Sequence, residues 1–304
     1  MNALKSNLLL LLAAAIWGFA FVAQRVGMEH VGPYTFNGVR FLLGSLSLVP
    51  LIIYLRRDSD DSQAGLKSAL LPGILAGLVL FIAATLQQIG LMHTTAGKAA
   101  FVTALYIVLV PIIGMFLGQL VSKGTWVGCF VSVLGLYFLC IQESASIQSG
   151  DLLELIGALF WAFHILVIGH FSRRVDPLKL SCFQFLTCSL LSLTAAVLFE
   201  TMTLSSILAA AIPILYGGIC SVGIAYTLQV VGQQYSPPAH SAIILSMETV
   251  FAAIGGFLLL GEVLKGVEIL GCVLMLSGML ISQLVGLRAN AHKGQPPVEA
   301  LESL

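Results

Sequence analysis

The stretch Ala239-His-Ser-Ala-Ile-Ile-Leu-Ser-Met-Glu-Thr-Val-Phe-Ala-Ala-Ile-Gly-Gly-Phe-Leu-Leu-Leu-Gly261 is an apolar run with one acid, Glu248, near its middle. At 1.5 Å per helical residue, Glu248 lies roughly 15 Å from the start of the run, about the midplane of a hydrocarbon core roughly 30 Å thick. A carboxylate at that depth is costly, and such residues face a bundle interior or a watery cavity. The run therefore reads as a membrane-spanning helix with a transport or binding residue at its centre. The competing reading is a protonated or hydrogen-bonded acid that only locks helices together.

Composition agrees with a membrane setting. Soluble domains carry about 25% charged residues, whereas this chain of 304 residues has 9%, with 58% hydrophobic residues and zero net charge. No basic cluster is long enough for nucleic-acid binding. Cys129, Cys140, Cys182, Cys188, Cys220 and Cys272 all fall inside apolar segments, without CxxC spacing or nearby His ligands. They read as small packing residues, and neither a disulfide nor a metal site is expected.

Taken in order, the chain divides into ten apolar segments at 7–24, 34–55, 69–91, 96–118, 124–142, 151–170, 178–199, 207–232, 238–260 and 266–287. Each is near the length needed to cross a bilayer. The first, following Lys5, imitates a secretory signal through Leu8–Ala15, but an internal repeat argues that it stays. The polar stretch after Arg288 and the tip Arg56–Gly65 are expected to be disordered.

Trp17 and Pro33 match Trp161 and Pro177 at one offset of 144, as do Phe41, Leu42, Ser45 and Leu46 with Phe185, Leu186, Ser189 and Leu190. Leu86, Gln87 and Gly90 match Leu228, Gln229 and Gly232 at an offset of 142, and Gly128-Cys129 matches Gly271-Cys272. The predicted division is residues 1–142, residues 143–287 and a cytoplasmic tail 288–304. Because five spans per half is odd, the second half enters the membrane in the opposite orientation. The expected fold is an all-α integral membrane protein with ten transmembrane helices as two inverted five-helix repeats. One side holds ten Lys and Arg residues (Lys5, Arg56, Arg57, Lys67, Lys123, Arg173, Arg174, Lys179, Arg288, Lys293), and the other only Arg25, Lys98 and Lys265. By the positive-inside rule both termini are cytoplasmic, and Glu143, Asp151, Glu154 and Glu200 are assigned to the opposite face.

The polar residues within the spans sort onto this scaffold. Tyr106 holds the repeat position of Glu248, so an inverted repeat brings phenol and acid together near its axis. The pair reads as a site for an amine or hydroxyl group, with Glu248 able to exchange a proton, or as a hydrogen bond that ties the halves. Trp17 and Trp161 sit deep in their spans, with His164 one turn beyond Trp161 on the same face; they read as aromatic cavity walls or as packing. A lone His is a titrating group or a hydrogen-bonded structural one. Gln87 and Gln229 read as substrate or gate amides, or as interhelical hydrogen bonds. Arg40 reads as an attractor of anionic groups, or as a snorkelling side chain, and Lys98 as a snorkelling or outer-gate cation. The spacing of Gly114 and Gly118, with Gly255, Gly256 and Gly261 in the matching region, permits close helix contact and a homodimer. Pro111 and Pro213 are candidate kinks.

Ile16-Trp-Gly-Phe-Ala-Phe21, Gly38-Val-Arg-Phe-Leu-Leu-Gly44, Thr94-Thr-Ala-Gly-Lys-Ala-Ala-Phe101 through Pro111, and the block Ser246-Met-Glu-Thr-Val-Phe with Leu-Leu-Leu-Gly-Glu262 resemble the EamA-type permeases of the drug/metabolite transporter superfamily. The resemblance runs over about residues 7–287. It implies a ten-helix secondary transporter with a central cavity that exports amino acids or other small metabolites. Glu248 falls in the family's ninth-span acid motif and Glu262 at its acid after the glycine; the first half has Gln119 at the latter place, so a two-acid role is not expected, and Glu262 reads as an outer-end cap or gate.

Together these readings describe a transporter of the inner bacterial or comparable plasma membrane. Its partners are a small-molecule substrate and the lipid bilayer. Trp17, Tyr106, Trp161, His164 and Glu248 are the leading cavity residues, followed by Gln87, Gln229 and Arg40. No cofactor is expected, and the GxxxxGK[ST] loop of ATP-driven systems is missing from the sequence. A membrane-embedded enzyme acting on lipid or isoprenoid substrates would need a nucleophile–base pair or metal cluster, and neither HExxH nor DDxxD occurs. A non-transporting scaffold would be expected to carry a sizeable soluble domain.

Overall fold

The computed structural model describes residues 3–56, 62–93, 96–140, 149–260 and 265–293. The regular elements among them are all helical. In chain order they are α1 (Ala3–Gly27), α2 (Pro33–Arg56), α3 (Ser62–Gly90), α4 (Ala96–Thr103), α5 (Tyr106–Phe116), α6 (Lys123–Cys140), α7 (Ser149–Phe171), α8 (Pro177–Phe199), α9 (Leu204–Ala209) and α10 (Ala211–Leu215). A π-helix (Tyr216–Tyr226) follows, then α11 (Thr227–Gln233), α12 (Pro238–Leu245), α13 (Glu248–Leu260) and α14 (Gly266–Lys293). Nine helical runs among the described residues are long and apolar enough to cross a membrane, and Lys123–Leu139 is a shorter apolar helix. Burial is inverted relative to a water-soluble fold. Phe116, Leu120, Phe199 and Ile212 point outward, while Asn37, Arg40, Gln88, Glu154, His164 and Gln184 are buried. Lipid solvates an apolar exterior, and helices satisfy their own backbone groups within it. The chain is a multi-pass membrane protein.

The two halves meet through interactions that exchange under the repeat offset. Ser45 Oγ of α2 donates to Cys182 O at 3.1 Å, and its counterpart Ser189 Oγ of α8 donates to Gly38 O at 2.8 Å. Gly38 and Cys182 are themselves 144 residues apart, so this is one contact made twice. The rings of Phe41 and Phe185, again equivalent positions, sit 6.3 Å apart between these bonds. Glycines do the same for α6 and α14. A Cβ on Gly128 would lie 2.6 Å from Gly278 O, and one on Gly135 would lie 2.6 Å from Gly271 O. Later residues of α6 meet earlier residues of α14, so the helices run antiparallel, and only glycine lets their backbones approach this closely.

Helix ends are fixed by carboxylates and hydroxyls. Asp176 accepts from Lys179 N at 2.9 Å, with Pro177 opening α8, which combines an N-cap with the preset φ of proline. Glu200, just past the end of α8, caps the other half. Its two oxygens accept from Tyr34 N and Thr35 N, both at 2.8 Å, and from Thr35 Oγ1 at 2.6 Å. α1 is an integral part of the bundle, with Leu10, Ala13 and Ala14 buried and Ser6 Oγ donating to Gly232 O at 2.7 Å.

Several expectations change. The segments 96–118 and 238–260, read as continuous spans, are each broken near mid-length. In the first, Leu105 N bonds Val102 O and Ile107 N bonds Ala104 O; in the second, Met247 N bonds Ile244 O and Thr249 N bonds Ser246 O. These are i to i−3 bonds, a local tightening of the helix, and they recur at an offset of 142. Gly114 and Gly118 do not form a helical stripe for a homodimer. Gly118 lies beyond α5 at φ +80°, where the chain turns and the helical register ends. The expected Pro213 kink lies in a short α10 that passes directly into the π-helix. Glu154, counted from sequence among the acids of the face opposite the termini, is fully buried in α7. α3 begins at Ser62 and α14 continues to Lys293, so both are longer than expected. Glu143, Gly261 and Glu262 lie outside the described residues.

Candidate functional site

A central cavity opens where the broken helices meet. Phe21 and Gln24 of α1 line it, together with Trp17, Arg40, Gln87, Thr103, Tyr106, Trp161, Ile165, Ser221, Tyr226, Gln229, Leu245 and Glu248. The space between these atoms is about 480 Å³, part of it open to the outside. Many lining residues are repeat equivalents: Trp17 with Trp161, Phe21 with Ile165, Gln87 with Gln229, Thr103 with Leu245, and Tyr106 with Glu248. The cavity thus lies between the two halves.

At its centre Tyr106 Oη donates to Glu248 Oε1 at 2.9 Å. Each of these residues is the first of its second helical piece, Tyr106 in α5 and Glu248 in α13. The break starts a second helix piece inside the bundle, its early N–H groups bonded back to nearby carbonyls (Ile107 N to Ala104 O, Thr249 N to Ser246 O), and the positive end of that piece's dipole favours negative charge there. Glu248 is accordingly placed at the one end of a helix piece that suits a carboxylate. Local hydroxyls complete the turn, with Ser246 Oγ donating to Ile243 O and Thr249 Oγ1 to Ser246 O.

Arg40 occupies another part of the wall. It is 2% exposed, so it does not snorkel. Its guanidinium lies over Phe36 and Phe41, 5.4 and 5.0 Å from the ring centroids, and its buried Nε has no hydrogen-bond partner. Cation–π contact contributes about 2 kcal/mol when desolvated, which offsets only part of the cost of burying a cation. Gly217 makes the placement sterically possible, because a Cβ there would press to 3.3 Å from Arg40 Cδ. Arg40 and Glu248 are the cation and the acid of the described lining.

The aromatic wall is built around Tyr226. Its ring lies 4.5 Å from Trp17 and 6.2 Å from Trp161, stacked on the latter at 22°. Trp17 Nε1 donates to Ser221 O at 3.2 Å, holding α1 to the π-helix, while Trp161 Nε1 is buried without a partner. His164 is not part of the lining. It packs edge-on to Trp161 and Tyr226 and shares a 2.9 Å hydrogen bond with Gln184, so it supports the wall from behind. Gln87 Nε2 reaches Thr103 Oγ1 at 3.4 Å, and Gln229 Oε1 is buried with no partner.

Sequence reasoning missed Tyr226, Gln24 and Thr103. Gln24 and Phe21 fall at i+7 and i+4 from Trp17, and Thr103 at i−3 from Tyr106, so helical spacing alone could have added them. Tyr226 had no such signal, because its repeat counterpart is Ala84 and the π-helix that aims it leaves no mark in hydropathy.

Comparison with known proteins is consistent with this architecture. The EamA-like transporter family matches residues 4–141 and again residues 148–284. A protein of Archaeoglobus fulgidus named as an uncharacterized transporter is 32% identical over 282 residues, covering 92% of this chain and 86% of its own length. A Salmonella typhimurium protein named as a probable amino-acid metabolite efflux pump is 26% identical over 297 residues, covering 91% and 94%. A crystal structure with 19% identity superposes at a TM-score of 0.75 over 93% of this chain and 98% of its own; at that identity the likeness concerns the fold alone.

Proposed function

Because the chain belongs to the EamA-like transporter family, we propose that it exports amino acids or related small metabolites across the inner membrane by alternating access, coupled to protons through Glu248. The two halves are inverted repeats with both termini cytoplasmic. The antiparallel Gly128–Gly278 and Gly135–Gly271 contacts support this arrangement, and the Lys and Arg distribution supports the orientation. The observation that carries the functional reading is the Tyr106–Glu248 hydrogen bond at the two helix breaks, inside a cavity that also holds Arg40.

In this reading Arg40 receives the anionic end of the substrate, for which a guanidinium supplies paired donors. Trp17, Trp161 and Tyr226 enclose its body, and Gln87 and Gln229 offer amides toward either half. Glu248 takes the amine or a proton in turn, so that binding of one displaces the other. Outward transport follows the Salmonella relative's name as an efflux pump.

Counterflow of pooled radiolabelled amino acids in proteoliposomes, repeated from mildly acidic to mildly alkaline buffer, tests this. Exchange should depend on pH in wild type and lose the part of that dependence carried by Glu248 in Glu248→Gln, so that the two pH profiles differ. Equal pH profiles for the two proteins would remove the coupling role, and a full pool without flux would remove the substrate class.

A further inference from the structure

A second buried acid adjoins the cavity and has no part in the site described above. Glu154 lies in the second turn of α7 with no accessible surface. Its Oε2 accepts from Thr103 Oγ1 at 2.9 Å, and Thr103 in turn accepts from Gln87 Nε2 at 3.4 Å. Thr103 and Gln87 both line the cavity, so a chain of hydrogen bonds runs from the cavity wall to this carboxyl. Its other oxygen, Oε1, is buried without a hydrogen-bond partner and is aimed at α3, where a Cβ on Gly90 would come within 2.8 Å of it. A glycine at that point leaves room for the carboxyl head.

We propose that Glu154 is a second proton-exchanging acid, linked to the central cavity through Thr103 and Gln87 and wetted when the bundle opens at the end where α3 finishes and α7 starts. The proposal rests on the transporter reading. Among the described residues, few charged or titratable groups stand near it. Asp151 lies one turn earlier on α7. His93, just past the end of α3, meets Gly150 through its backbone, and Lys98 is the cation carried by α4, five residues before Thr103. Thr103 supplies one hydrogen bond, whereas an ionised carboxyl taken out of water is unfavourable unless its lone pairs are fully compensated. The charge of Glu154 is therefore tied to whether this end of the bundle is closed.

The proton inventory is simple. In the closed arrangement the acid keeps its O–H. On opening, that bond breaks to water, which carries the proton into the adjoining medium, and the carboxylate left behind retains the Thr103 hydrogen bond. Closure requires a proton to return from the same water. Gln87 and Thr103 make the exchange sensitive to what occupies the cavity, because a substrate that takes the Gln87 amide removes the donor that polarises the Thr103 hydroxyl and so weakens that hydroxyl's hydrogen bond to the carboxylate.

Infrared difference spectra of the full-length protein in lipid nanodiscs, titrated from acidic to alkaline buffer, test this without a known substrate. The carbonyl stretch of protonated carboxyls is measured in wild type, Glu154→Gln, Glu248→Gln and Thr103→Val. The expected result is loss of one pH-dependent component in Glu154→Gln and of a different one in Glu248→Gln. Thr103→Val should shift the Glu154 component and leave the other in place, which secures the assignment even if Glu154→Gln does not fold. A spectrum unchanged by both the Glu154 and the Thr103 substitutions overturns the proposal, as does a Glu154 component of constant height at every pH. A missing Glu248 component beside an intact Glu154 one would count against the Glu248 coupling alone.

Discussion

Tyr106 and Glu248 are partners that fail in different ways. Tyr106→Phe removes the hydroxyl that holds the buried carboxyl, and an unsatisfied buried acceptor costs about 1–3 kcal/mol. Glu248→Gln keeps an amide oxygen able to accept the same hydrogen bond. Thermal unfolding in detergent should therefore show a larger fall for Tyr106→Phe than for Glu248→Gln, although the second is the variant whose pH profile of exchange changes. Arg40 permits a test of substrate charge. Hydrogen bonds to charged groups contribute about 1.5–3 kcal/mol, so Arg40→Gln should raise the KM of anionic or zwitterionic substrates about tenfold to a hundredfold. Neutral analogues of the same shape should change little, and a uniform loss over both classes would place Arg40 among the structural residues.

At the level of helices, the interface of α6 with α14 makes a sharp prediction. With a carbonyl oxygen 2.6 Å from where a Cβ on Gly135 would sit, Gly135→Ala must push the helices apart, at a cost of about 1–3 kcal/mol. The same substitution at Gly266, which has nothing within 4 Å, should leave the melting temperature unchanged. The helices also show what a sequence can reveal. Spans were legible because long apolar runs end at charges and prolines, and the duplication was legible because Trp17 and Pro33 are rare residue types that recur at one offset. The breaks at Ala104-Leu105 and Ser246-Met247 were not. Their residues are as apolar or as small as their neighbours, Pro111 lies several residues too late, and an i to i−3 shift requires no special side chain. The burial of Glu154 was hidden for a related reason: three residues from Asp151 at the start of a span, it reads as an acid of that face, and it is the packing of other helices against α7 that buries it.

The whole molecule offers a test of orientation. Glu200 and Thr203 follow the end of α8, whereas Asp176 precedes its start, so the two sites lie at opposite ends of one spanning helix. With the native cysteines replaced, Asp176→Cys should react with a membrane-impermeant thiol reagent in inside-out vesicles, and Thr203→Cys only in right-side-out ones. The reverse pattern would invert the topology and turn the proposed exporter around. The cavity was legible at this scale as well, through the repeat pairs that line it; the departures from the repeat, Tyr226 and Arg40 above all, needed coordinates to be seen side by side.

Those departures acquire a meaning from the helix breaks. Two separate copies of one half, facing each other across the same axis, would be bound to present identical residues at both breaks, either two phenols with no acid to exchange or two carboxylates repelling each other at close range. Carrying both halves on a single chain removes that constraint. The backbone keeps its matched tightening on both sides, while one strand of inheritance is free to keep a tyrosine and the other an acid, so that a nearly two-fold frame holds a pair with a donor and an acceptor.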